Sequence, residues 1–292
     1  MDSLPPWALV RELSLSLLLP SLGISLIVMA AVCAATRSTP RRLLGGALAL
    51  AGGLIAGNFF RGLLSWWSVE KGWPALFPAT LAIIVGATIA ALLSARGKQG
   101  RGLMLRFVIM ALAAFWIAPG DSPLSRLGYF ALIFAASAAN LEMLQRPGRV
   151  HFGTKLLLAV AAIWGGSAAT VLIAAQSARF SEMAMLLAAS LGGAGVAALF
   201  WKLDLVALLA APAIFYPALM LNGRANTFSE VPAASFILIA LAPCALPVLH
   251  YLPLQRWPAP IRPAAPFFAL LLPCALALLL ALRAEPLDFS GH

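Results

Sequence analysis

The chain of 292 residues is 62% hydrophobic and only 10% charged, with a mean hydropathy of +0.95. Soluble domains carry about 25% charged residues and about 45–50% apolar ones, so these side chains cannot cover a water-facing surface, and no polar stretch is long enough for a separate soluble domain. The net charge of +10 lies in short loops between apolar runs, where it reads as orientation signal and contact with membrane lipid rather than with nucleic acid.

A run of about 20 apolar residues crosses a bilayer as a helix, and ten such runs follow one another here. The first, Leu13–Ala35, comes after a segment that is acidic as well as basic and has no small-x-small exit, so a retained helix is expected rather than a signal peptide. The second, Leu43–Phe60, carries Gly53-x-x-x-Gly57, a small face that lets helices approach closely. Asn58 and Arg61 close it on one side of the helix. They are candidates for an anion or headgroup contact, or for plain interfacial anchoring beside Trp66 and Trp67. The segment Arg61–Trp73 reads as a short interfacial helix.

Span 3 is Ala75–Ser94. Span 4, Leu103–Ala118, holds Arg106 about one turn inside, and span 5, Leu127–Leu144, holds Asn140 and Glu142 at similar depth. Charged residues inside a membrane are costly and functional by default, so an Arg106–Glu142 pair is one reading. The other readings are snorkelling of Arg106 and a Glu142–Arg146 pair at i, i+4. Span 6, Leu156–Gln176, and span 7, Met183–Trp201, carry the small-residue faces Ala162/Gly166/Thr170 and Ala189/Gly193/Ala197.

Only Lys202 and Asp204 separate span 7 from span 8, Leu203–Leu221; a bent or re-entrant helix is the alternative there. Span 9 is Val231–Leu252 and span 10 is Ala264–Leu282. Pro212, Pro217, Pro243, Pro247 and Pro273 withhold backbone donors in these last three spans. The carbonyls they free must face protein or water. A cavity or hinge near Tyr216, Cys244 and His250 is therefore expected. Between spans 8 and 9, Thr227-x-x-Glu230 reads as a capping box.

With ten spans, the loops on one side hold 13 basic residues and the other side holds seven. Positive loops stay cytoplasmic, which places both termini outside and the chain in the inner (plasma) membrane. The fold class is all-α, one integral membrane domain over 1–292. Gly52-Gly53 with Phe60 in span 2 and Gly192-Gly193 with Phe200 in span 7 suggest two inverted five-helix halves, 1–148 and 149–292. In outline this resembles many small exporters, a likeness of fold that does not reach function.

The cysteines Cys33, Cys244 and Cys274 have no metal-ligand spacing, and neither a phosphate-binding glycine loop nor a nucleophile elbow occurs. No catalytic residue, metal or cofactor is assigned. Three readings of function stand: a transporter-like protein for a small apolar or weakly polar solute, a non-catalytic subunit in contact with other membrane subunits, and, least supported, a membrane-embedded enzyme.

Overall fold

A computed structural model describes residues 14–36, 38–62, 73–148, 158–201, 206–227, 229–248, 258 and 264–285. Among them there is no strand, and ten α-helices follow one another. They are α1 (Leu19–Ala35), α2 (Thr39–Arg61), α3 (Leu76–Ala95), α4 (Gln99–Ile117) and α5 (Pro123–Gly148), then α6 (Gly166–Ala174), α7 (Ala178–Trp201), α8 (Ala210–Ala225), α9 (Ala233–Ala240) and α10 (Ala265–Ala284). Seven helical stretches are long and apolar enough to cross a membrane. The other three, α6, α8 and α9, are short and flanked by irregular turns: a π-turn at Val160–Gly165 before α6, a 3-10 turn at Val206–Leu209 before α8, and another at Ala242–Ala245 after α9. The chain is a multi-pass helical membrane protein.

Glycines set the closest packing. Along α2, Gly53, Gly57 and Arg61 recur every four residues, and α7 answers in antiparallel order with Ser190, Leu186 and Glu182. A Cβ on Gly53 would come within 2.9 Å of the Ser190 hydroxyl, one on Gly57 would run into Leu186, and Arg61 reaches Glu182. Helix α1 fills the third side. Its Ser21 lies against Gly53 and Gly57, and its Ser25 against Gly53 and Gly193. Ser25 also donates to the Ala49 carbonyl at 2.6 Å. Lipid tails are as apolar as the helices, so association rests on such close contact and on hydrogen bonds between helices.

The small face of α7 therefore packs as its spacing predicts. That of span 6 does not: Ala162 and Gly166 are exposed, and nothing lies within 4 Å of a Cβ on Gly166. Its neighbour Gly165 makes the contact instead, against Tyr216 and Ala188. The π-turn there inserts an extra residue into the helical repeat, which rotates the following face away from its ideal direction.

At the centre stands α8, buried at every residue from Ala210 to Met220. A helix apolar all round belongs in the interior, and α3, α5 and α9 surround this one. Pro212 sits in its first turn, where a proline replaces no helical donor; only Pro217 is internal. The capping box expected before α9 is not formed. Thr227 Oγ1 has no hydrogen-bond partner, the Glu230 amide donates to the Glu285 carboxylate at 3.2 Å, and the helix starts only after Pro232. Pro232, with φ −58° and ψ 139°, holds the chain extended until that point. The expected interfacial helix at Arg61–Trp73 falls mostly outside the described residues.

A branched side chain at Gly57 must displace Ser21 and Leu186. Gly57→Val is expected to destabilise the protein by about 1–3 kcal/mol, the cost of overpacking a tight core, whereas Gly166→Ala leaves it unchanged. Thermal unfolding of the two variants in mild detergent measures the contrast; equal stability would show that the α1–α2–α7 contact is not close.

Candidate functional site

The candidate residues fall into three places. Arg61 and Asn58 lie at the end of α2. The Arg61 Nη2 donates to Glu182 Oε1 at 2.7 Å and its Nε to the same oxygen at 3.1 Å, with side chains 27% and 12% exposed. As the last residue of α2, Arg61 is also favoured by the helix dipole. Asn58 is fully buried and donates to the Leu54 carbonyl at 2.7 Å. The pair ties the end of α2 to α7, and its carboxylate, Glu182, is absent from the sequence reading. The four-residue ladder that brings Glu182 opposite Arg61 is visible only once α2 and α7 are known to be antiparallel neighbours.

The second place is the break in α9. Pro243 has no amide hydrogen, so the Ile239 carbonyl loses its helical donor. The Cys244 amide turns to the Leu241 carbonyl at 2.9 Å, which frees the Ala240 carbonyl as well. Both are taken by side chains from other helices. The Trp164 indole donates to Ile239 O at 2.6 Å, and Asn140 Nδ2 to Ala240 O at 2.7 Å. The Cys244 thiol in turn lies 3.7 Å from Asn140 Oδ1. Tyr216 stands behind this junction, fully buried, its ring 4.8 Å from that of Trp164 and its hydroxyl against Gly165. Asn140, Cys244 and Tyr216 are thus gathered around one discontinuity, with Trp164 as the member that residue type alone did not reveal. His250 lies outside the described residues.

The third place is a crevice of about 190 Å³ between α4 and α5, lined by Leu103, Arg106, Phe107, Met110, Leu141 and Glu142, with Ala138 at its side. It brings together Arg106 and Glu142, two of the charged residues within the candidate spans. Arg106 is seven residues past the start of α4 and Glu142 six before the end of α5, so each sits roughly 10 Å in from its helix end. Arg106 also borders a void of about 10 Å³ that reaches Ala210 and Ile214 of the central α8, room for about one water.

The second and third places share one helix. Asn140 points from α5 to α9, while Leu141 and Glu142 line the crevice on the α4 side. The α9 break and the crevice wall thus meet on one turn of α5. Arg61 and Asn58 do not join them.

Removing either donor leaves a buried carbonyl bare. Asn140→Leu and Trp164→Phe are each expected to cost about 1–2 kcal/mol of stability. The double variant should cost less than the sum, because both donors hold one segment. A double-mutant cycle by thermal unfolding checks this; strict additivity would separate the two bonds.

No family model matches the chain and no curated protein matches it.

Proposed function

We propose that the protein is a transporter-like membrane protein that takes up a small amphipathic solute in the α4–α5 crevice from the cytoplasmic side. The observation that carries this reading is the combination of a discontinuous helix with a charged crevice one helical turn away, joined through α5. Discontinuous helices with freed carbonyls are a recurring device of transporters, whose halves rock about a central site. The Arg61–Glu182 pair ties α2 to α7 at the opposite end of the bundle, a contact that an inward-open state would need. Basic residues concentrated on the loops that precede α2 and α4 and follow α5 support cytoplasmic placement of the crevice.

Two experiments test the proposal. With Cys33, Cys244 and Cys274 replaced, single cysteines at Ser38, Gly100 and Gly148 should react with an impermeant thiol reagent only from the cytoplasm. Reaction from outside overturns the orientation. In the same background, cysteines at Arg61 and Glu182 are joined by a short bifunctional reagent, and the reactivity of Ala138→Cys is followed in inside-out vesicles. If access alternates, tying the outer ends traps the inward-open state and labelling at position 138 rises several-fold. Labelling that does not change on crosslinking supports the reading as a static subunit of a membrane complex, for which the dense α1–α2–α7 packing would suffice.

A further inference from the structure

Between Arg106 and Arg146 the chain carries a single basic residue, Arg126. It lies in the first turn of α5, at the closed end of the α4–α5 hairpin, with its guanidinium 5.3 Å from the centre of the Phe115 ring. Its Nη2 donates to the Phe115 carbonyl, close to the end of α4, at 3.3 Å. That bond uses one of the five N–H groups of a guanidinium. Nε is enclosed without a partner, and among the described residues no carboxylate pairs with Arg126. Nη1 and the rest of Nη2 are therefore left to face outward.

Below Arg126 runs a continuous file of rings. Phe115 meets Phe130 edge-on at 6.0 Å, Phe130 stacks on Phe134 at 6.0 Å, and Phe134 tilts against Phe107 at 6.5 Å. Phe115 and Phe107 are 48% and 45% exposed, so the file opens along the flank of the bundle that meets acyl chains. From Phe115 to Phe107 is roughly 12 Å of helix rise, most of the half of a roughly 30 Å hydrocarbon core that one leaflet supplies. Phe107, at the bottom of the file, also lines the α4–α5 crevice.

From this arrangement we infer that the α4–α5 seam binds one membrane glycerophospholipid, its phosphate on Arg126 and one acyl chain along the four rings, ending at the crevice mouth beside Phe107. A snorkelling arginine extends away from apolar surface toward water, whereas this one turns back onto a ring and a carbonyl. Fixed in that way, its planar fork has little further freedom to lose on meeting phosphate oxygens. The start of α5 adds positive potential at the same level. Asp121, exposed in the preceding loop, opposes a large excess of negative charge. The single charge of a phosphodiester suits this end better than the two of a phosphomonoester. The rings are packed on one another before any lipid arrives, so a chain gains dispersion contact without ordering them.

The test uses the full-length protein in mild detergent and a phosphatidylglycerol with a photoactivatable diazirine at the end of one chain. After irradiation, adducts should concentrate on residues 103–108 of α4 and 134–138 of α5, and Arg126→Gln should reduce them several-fold. Adducts around the exposed Leu272 of α10 report ordinary lipid contact and should be equal in the two proteins. Dioleoylphosphatidylglycerol should compete for the α4–α5 adducts. Dioleoylglycerol, which lacks the phosphate, and glycerol phosphate, which lacks the chains, should each compete several-fold less well. Adducts spread evenly over the lipid-facing helices, or unchanged in Arg126→Gln, overturn the inference in favour of ordinary annular lipid. Equal competition by dioleoylglycerol removes Arg126 from the site, and equal competition by glycerol phosphate replaces the lipid with a soluble phosphate ester. The competition series uses the unaltered protein and so decides the matter without the variant. None of these readouts involves solute movement, so the inference stands or falls separately from the transport reading.

Discussion

Hydrocarbon offers a bare carbonyl no partner, and the structure is arranged around that fact at one point above all. Pro243 and the turn after it strip Ile239 and Ala240 of their helical donors, and the bundle supplies two replacements, Trp164 from the turn before α6 and Asn140 from α5. Each bond reaches across many residues of sequence, so α5, α6 and α9 must all be in register for both to form. Tyr216 of the central helix packs on Trp164, which ties α8 to the same junction. The break is thus the place where four helices agree on their relative position.

A second device works beside it. Where α1, α2 and α7 meet, side chains are removed so that backbones can touch, and serine hydroxyls fill what glycine leaves. The two regions differ in emphasis: close backbone approach, with Ser25 donating across it, at the first, and two side-chain bonds to freed carbonyls at the second. The charged residues respect the division. Arg61 and Glu182 extend the close-packed ladder by one more step, whereas Arg106 and Glu142 flank an opening on the far side of α5.

Much of this was legible in the amino-acid sequence, because membrane helices advertise themselves by length and apolarity. Seven of the ten spans match helices long and apolar enough to cross a membrane; spans 6, 8 and 9 hold the shorter α6, α8 and α9, and the helix of span 9 stops at Ala240, well before Leu252. The Gly53/Gly57 and Gly193 contacts followed from spacing alone, since a period of four marks one side of a helix. The face of span 6 did not, because a π-turn shifts the phase of everything after it and leaves no compositional trace. Thr227 and Glu230 had the right spacing for a cap, but Pro232 overrode it by holding the backbone extended. Among site residues, Arg106 and Glu142 were placed at similar depth by counting along spans, whereas the meeting of Asn140 with Cys244 depends on α5 and α9 being neighbours. Glu182 and Trp164 escaped because their roles depend on which helices are neighbours, information that residue periodicity does not contain.

The antiparallel ladder of Gly53, Gly57 and Arg61 against Ser190, Leu186 and Glu182 has a consequence for how the protein is made. Helix α2 leaves the ribosome well over a hundred residues before α7. Through that interval the hairpin of α1 and α2 must wait in the bilayer with its glycine groove open and a guanidinium at the rim. Whatever fills that groove meanwhile, lipid or insertion machinery, has to depart when α7 arrives. The early hairpin is therefore a docking platform for a helix not yet synthesised, and the order of translation, as much as the final contacts, decides what may touch it first.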